Sequence, residues 1–209
     1  MLVDDHDLFR TGLRNLLEEQ GLHIVAEASE GATALSLVQE LAPDVVVMDL
    51  NMPGMNGIEA TQEIARLAPL TRVVVLTISD QDADVMDAIL AGACGYLLKD
   101  ASIQELMQGL EAAAVGESLI SPHIAGKVLQ HVRATTAAPE AAATIRTELS
   151  DREIQVLKLI ANGKDNGMIA AELHISPKTV KNHISNILMK LQIENRIQAA
   201  VYAVRSGIV

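Results

Sequence analysis

"VVVMDLNMPG", residues 45–54, runs three valines and a methionine straight into an aspartate. A short β-branched run closed by Pro53 and Gly54 reads as a strand buried on both faces, as in a parallel sheet. Asp49 then stands at the lip of a core, where a carboxylate is costly unless something pairs with it. Its partner has to come from elsewhere in the chain.

Up to about residue 115, short apolar runs at 1–3, 23–26, 45–48, 73–76 and 96–98 alternate with amphipathic stretches at 8–20, 31–41, 57–67, 83–91 and 103–114. Five βα units at this spacing predict a (βα)5 α/β domain, a doubly wound parallel sheet with helices on both faces. The first strand is short, so either the start is trimmed or the strand is an abbreviated one. Residues 117–133 predict one further helix, opened by Ser121 and Pro122, and the Ala/Thr-rich stretch 134–147 around Pro139 reads as a linker.

From Leu149 the period turns purely helical. Ser150 and Glu153 form a capping box, with Leu149 and Ile154 as its hydrophobic staple, and that helix stops at Gly163. A second helix spans 166–173, a third is capped by Ser176 with Pro177 at its first position, and a fourth covers 195–206. The organisation expected is therefore an α/β domain over 1–116, a helix and linker over 117–147, and a small all-α four-helix domain over 148–209.

Hydrophobic residues make up 49% of the 209, enough for real cores. No apolar run approaches the roughly 18 residues of a membrane span, and no export signal is visible. The single Cys94 excludes an internal disulfide and a cysteine-built metal site. It reads as a small buried hydrophobe, and a cytoplasmic location is expected. The net charge of −11 is uneven: residues 1–147 carry 8 Lys and Arg against 21 Asp and Glu, residues 148–209 carry 8 against 6. Two domains with different partners follow from that asymmetry. With only Phe9, Tyr96 and Tyr202 as aromatics, binding of single strands by stacking is disfavoured.

In an open parallel sheet, ligands sit at the carboxyl ends of the strands. Those ends carry Asp4 and Asp5, Asp49, Thr77 and Lys99. Any one of these acids alone would more often cap a helix or a loop. Together, three carboxylates without a cation would repel one another, and a hard divalent ion such as Mg²⁺ resolves the cost. Asp49 could then attack a phosphoryl group, with Lys99 and Thr77 stabilising the transferred oxygens. His6 could add a ligand in principle but reads as a solvent-facing helix-start residue. Tyr96, taken alone, reads as packing.

The motifs "LVDDH", "VVVMDLNMPGMNG", "VVVLT" and "GYLLK" resemble the receiver domain of two-component response regulators over nearly the whole of 1–115. The resemblance implies that Asp49 accepts phosphate from a sensor histidine kinase. It implies Asp5, Asp49 and the main-chain carbonyl of Asn51 as Mg²⁺ ligands, with Asp4 in support. Thr77 and Tyr96 match the family's switch pair, Tyr96 turning inward on phosphorylation, and Lys99 matches its lysine.

On a helical wheel centred on Val180, Ile184, Ile187, Leu188 and Leu191 form one apolar stripe, while Lys178, Lys181, Asn182, Ser185 and Met189 lie opposite. Such a helix, preceded by another and a tight turn, suits the major groove of double-stranded DNA. The pattern alone favours a plain solvated face, because a net charge of +2 is weak. Residues 149–209 nevertheless resemble the LuxR-type helix-turn-helix through "LSDREIQVLKLIANG", "MIAAELHISPKTVKNHISNILMKL" and "NRIQAAVYAVRSG". Receiver plus this domain is the architecture of the NarL/FixJ family. That resemblance implies a transcriptional regulator, not an enzyme beyond its own aspartyl phosphorylation and dephosphorylation, which dimerises when phosphorylated. It places the recognition helix at about 177–190. Gly167 departs from the family's usual polar residue and removes one phosphate contact. A protein-binding or phosphorelay regulator that no longer binds DNA is the rival reading. An aspartyl-phosphate hydrolase is disfavoured, since Leu50, Asn51 and Met52 offer no second acid after the nucleophile.

Overall fold

The computed structural model describes residues 1–120, 124, 128, 149–193 and 195–209, in two compact units, Met1–Ala125 and Gly126–Val209. In the first unit, strands β1 (Leu2–Val3), β2 (Glu27–Ala28), β3 (Val45–Met48), β4 (Arg72–Thr77), β5 (Gly95–Leu98) and β6 (Leu119–Ile120) form one parallel sheet. Their spatial order is β2-β1-β3-β4-β5-β6. Helices α1 (Asp7–Glu19), α2 (Gly31–Leu41), α3 (Gly57–Leu67), α4 (Asp82–Leu90) and α5 (Ile103–Ala114) connect the first five strands in turn and follow the fifth.

Alternation along the strands supplies two cores. Val47, Val74, Leu76 and Leu97 pack with Leu13 and Leu17 of α1 and Leu106 and Leu110 of α5. Val46, Met48 and Val73 pack with Ala34 and Val38 of α2 and Ala60 and Ile64 of α3. The doubly wound sheet is therefore confirmed, with two changes. The second strand lies at Glu27–Ala28 rather than at 23–26, because Leu2 N–H and Asp4 N–H bond to the carbonyls of Ala26 and Ala28 and set its register further along the chain. A sixth strand also occupies 119–120, inside the stretch expected to be helical, since the open edge of β5 takes it up with Tyr96 opposite Ile120. Ile124 and Val128 are helical and buried; residues 121–123, 125–127 and 129–133 of that expected helix and the linker stretch 134–147 lie outside the described residues.

The second unit holds α6 (Asp151–Ala161), α7 (Asn166–Leu173), α8 (Pro177–Leu191) and α9 (Arg196–Arg205). The Ser150–Glu153 capping box forms as expected, and Ser176 Oγ accepts from Thr179 N–H at 3.0 Å to start α8. A three-residue turn at 174–176, opened by His174 at φ 53°, joins α7 to α8. Val156, Leu157, Ile160, Ile169, Val180, Ile184, Ile187, Ala199 and Ala203 fill the core. Among the described residues, no helix is long and apolar enough to cross a membrane.

Candidate functional site

Strand order reverses between β1 and β3, and a crevice for ligands opens where such a reversal occurs. The register pairs Val3 with Met48, so Asp4 and Asp49 emerge side by side one residue further on. Asp49 N–H donates to Val3 O at 2.9 Å, which pins the aspartate to the sheet. Both carboxylates are buried, Asp49 at 2% and Asp4 at 4% exposure. The carboxyl end of β4 is tied to the other side, with Lys99 N–H donating to Thr77 O at 2.8 Å.

Lys99 answers the question of what pairs with Asp49. Its Nζ lies 2.7 Å from Asp49 Oδ2 and 2.7 Å from Asp4 Oδ2. Burial works against the ammonium's charge, but its hydrogen bonds to the two carboxylates outweigh that and hold its pKa above the ordinary lysine value. One cation for three acids leaves the cluster short of positive charge. Asp4, Asp5, His6 and Asp49 each bring a donor atom within 4.8 Å of the others. Asp5 Oδ1 is shielded from solvent without a hydrogen bond, and His6 Nδ1 sits 2.7 Å away. A desolvated carboxylate oxygen without a hydrogen bond, among three clustered acids, is the kind of atom a divalent cation satisfies, so the donor set fits a hard ion.

As helix caps the acids fail, although Asp4 and Asp49 each accept a main-chain N–H two residues on. His6, not an aspartate, is the N-cap of α1, and Asp4 Oδ1 accepts from His6 N–H at 2.9 Å. The His6 side chain is 67% exposed, as its helix-start reading expects, yet its ring leans on the acids. Asn51 is exposed in the loop after β3, its N–H 3.5 Å from Asp49 Oδ1. That loop turns through Gly54 at φ 74°, and Gly57 opens α3 hard against the Asp49 backbone.

Thr77 is fully buried, and its Oγ1 accepts from Ser79 N–H at 3.4 Å. Tyr96 departs from the expectation that it turns inward only on phosphorylation. Its ring is already fully buried, because its hydroxyl donates to Ser79 O at 2.9 Å and so gains a partner inside. Burial, with the nearby charge of Asp84 adding to it, pushes the phenol well above its ordinary pKa. Cys94 is buried with its Sγ 3.2 Å from Val73 O, and burial raises the thiol to about 11.

Sequence reasoning overlooked three supports. Arg10 donates to the Asp4 carbonyl and to Asp7, and its Nε reaches Glu27 at 3.2 Å. Phe9 faces Lys99, with the ring centroid 4.6 Å from Nζ. Glu153, read as a cap, also accepts from Lys190 Nζ at 2.8 Å. Burial alone would raise the pKa of Glu153, but Lys190 and the Ser150 donors hold it below the ordinary value. The 9–13–17 spacing on α1 marks Phe9 as a core residue, and nothing local to it points to Lys99.

In the second unit α8 buries Val180, Ile184 and Ile187, with Leu188 and Leu191 partly covered. Lys178, Lys181, Asn182 and Ser185 are exposed together, and Met189 is exposed beside them. Gly167 is exposed in the first turn of α7.

Residues 1–111 match the response regulator receiver domain, and residues 147–203 match the bacterial regulatory proteins of the luxR family. The chain belongs to the response regulators with a LuxR-type DNA-binding domain. It is 44% identical over 212 residues to the transcriptional regulatory protein LiaR of Bacillus subtilis (strain 168), covering 100% of this chain and 98% of that one. The crystal structure of the response regulator ChrA of a heme-sensing two-component system is 37% identical, with a TM-score of 0.54 over 100% of this chain and 97% of ChrA. The structure of an RcsB–DNA complex is 26% identical, with a TM-score of 0.56 over 100% of this chain and 97% of RcsB. This response regulator is thus a transcriptional regulator of a two-component system, built as a receiver followed by a LuxR-type helix-turn-helix.

Proposed function

We propose that Asp49 accepts a phosphoryl group from a sensor histidine kinase, and that this controls how the second unit binds double-stranded DNA. The observation that carries the reading is Lys99 Nζ at 2.7 Å from both Asp4 and Asp49, inside a cluster that still lacks positive charge. Asp5, Asp49 and the Asn51 carbonyl would hold Mg²⁺, with Asp4 in support. Bound there, the ion supplies charge neutralisation and orients the incoming phosphoryl oxygens. Lys99 and Thr77 stand on the other side of Asp49, where an ammonium and a hydroxyl stabilise charge on the transferred group. Tyr96 and Thr77 transmit the change through the loop after β4, whose Ser79 carbonyl Tyr96 already holds.

On the output side, Lys178, Lys181, Asn182 and Ser185 of α8 would meet the major groove, and the likeness to the RcsB–DNA complex supports this over a regulator without DNA. Domain limits of 1–116, 117–147 and 148–209, a cytoplasmic location and a homodimer formed on phosphorylation complete the proposal. The test is intact mass after incubation with Mg²⁺ and a small phosphodonor. One phosphoryl group should add to the native chain and none to Asp49→Asn. Equal addition to both would overturn the assignment. Sedimentation with and without beryllofluoride checks the dimer.

A further inference from the structure

Lys99 is held on three sides. Two of its three N–H donors meet carboxylates, Asp4 Oδ2 and Asp49 Oδ2, each at 2.7 Å. On the third side lies the face of Phe9, its centroid 4.6 Å from Nζ, well inside the range of a cation–π contact. Phe9 is the only phenylalanine in 209 residues, in a chain that has no tryptophan. It stands in the first turn of α1, directly after the Asp4–Asp5 loop, and packs on the Leu13–Leu17–Leu106–Leu110 core. It also lines a small crevice with Asp4 and Asp49. Any aliphatic side chain would serve that packing, but only an aromatic face attracts the ammonium.

We propose that Phe9 is a positioning residue for phosphoryl transfer: its ring keeps the Lys99 ammonium over the acid pair, aimed at the oxygens of a phosphoryl group on Asp49. Lys99 must give up part of its contact with Asp49 when that carboxylate becomes an acyl phosphate. A flexible four-carbon stem released from one carboxylate has other places to go. The ring face attracts the cation from a fixed direction, so the ammonium stays beside Asp49 through the exchange. Arg10, the next residue, donates to the Asp4 carbonyl and steadies the other end of the same loop. The first turn of α1 thereby sets both the lysine and the acid loop.

This inference rests on Asp49 as phosphoacceptor, and the experiment separates the two. Full-length native protein, Phe9→Leu, Phe9→Trp, Lys99→Ala and the double variant Phe9→Leu/Lys99→Ala are phosphorylated with acetyl phosphate and Mg²⁺, with Asp49→Asn as control. Phe9→Leu should lower the maximal rate constant about five-fold, within the range of a partly desolvated cation–π contact, and leave the half-saturating donor and Mg²⁺ concentrations unchanged. Phe9→Trp should keep the native rate or exceed it, which also answers any objection that the leucine variant is misfolded. In the Lys99→Ala background, Phe9→Leu should change nothing further, since the contact it removes is already gone. The Lys99 ammonium proton signal should also lose its ring-current shift in Phe9→Leu and keep one in Phe9→Trp. If Phe9→Leu matches the native rate, or costs the same five-fold without Lys99, Phe9 is only packing and the inference falls while Asp49 stands. If Asp49→Asn is phosphorylated as well as the native chain, the underlying reading falls.

Discussion

Adding one methyl group should move stability in opposite directions at two glycines. At Gly57, a Cβ would lie 2.0 Å from the Asp49 carbonyl oxygen and 2.8 Å from both the Asp49 carbonyl carbon and Leu50 Cα. Real Cβ atoms do not come closer than about 3.0 Å, so the two backbone segments must part by roughly 1 Å. The strand side cannot yield easily, because Asp49 N–H is bonded to Val3 O. Helix α3 has to move instead, and the 3.0 Å bond from Gly57 N–H to Leu50 O stretches beyond hydrogen-bonding range. Overpacking of this kind costs about 1–3 kcal/mol, and the lost hydrogen bond about 1 kcal/mol more. Gly57→Ala should therefore destabilise the first unit by about 2–4 kcal/mol, a fall in Tm of roughly 8–16 °C.

Gly12 lies inside α1 with no atom within 4 Å of its Cβ position. There the same methyl meets only solvent and restricts the unfolded chain, so Gly12→Ala should stabilise by about 0.5–1 kcal/mol. Calorimetry of the full chain reads both variants on the same transition. A Gly57→Ala protein within about 2 °C of the native Tm would refute the close approach of α3 to the Asp49 backbone. A fall in Tm for Gly12→Ala would refute the reading of α1 as freely exposed there.

Lys190→Met should destabilise the second unit by about 1–3 kcal/mol, because it leaves Glu153, only 4% exposed, with its serine donors alone. Glu153 titrates below its ordinary value in the folded state, so its contribution is complete above the unfolded carboxylate pKa and disappears as pH falls through the folded one. Denaturant titrations from neutral pH down to about pH 3 should show that loss in the native chain and a shallower one in Lys190→Met. Tyr96→Phe removes the hydroxyl that meets Ser79 O and should cost about 0.5–1.5 kcal/mol; unchanged chemical denaturation would show that bond to be worth nothing. Lys181→Ala should lower the slope of log affinity against log salt by about one unit if it meets a phosphate, or weaken binding by about 1–3 kcal/mol in a sequence-dependent way if it meets a base. No change in either quantity takes Lys181 out of the interface. Chelation of divalent ions should suppress phosphorylation of Asp49, with recovery when Mg²⁺ is restored.

Elements with a strong period or a defined cap were legible. The helices Gly31–Leu41, Gly57–Leu67 and Ile103–Ala114 and the strand Val45–Met48 lie where the sequence places them. So does the polar face of α8 opposite Val180, Ile184 and Ile187. Of the three two-residue strands, only Leu2–Val3 was legible. Neither Glu27–Ala28 nor Leu119–Ile120 is long enough to carry a period, and both exist through hydrogen bonds to a neighbouring strand. At the site, strand ends announced Asp4, Asp5, Asp49, Thr77 and Lys99. Phe9 and Arg10 stayed hidden because their partners lie far along the chain, Phe9 on Lys99, or on main-chain oxygen, Arg10 on the Asp4 carbonyl. A main-chain acceptor leaves no mark in the sequence. Tyr96 was legible as a residue but not in its position, which depends on one hydroxyl meeting the carbonyl of Ser79.

The two edge strands also decide how the sheet meets other molecules. β2 and β6 are its outer members, and β6 covers the first half of β5, Gly95 and Tyr96. Edge strands of two residues give an incoming chain almost nothing to copy. On one side the edge is also charged: Glu27 of β2 holds Arg10 at 3.2 Å and Arg14 at 2.7 Å. On the other, β6 covers the strand that carries Tyr96. Growth of the sheet by strand addition, a route to irreversible aggregation, finds only short templates at both margins. A second copy or a partner protein would therefore have to dock through side chains on helices and loops, which carry specificity that an open strand edge lacks.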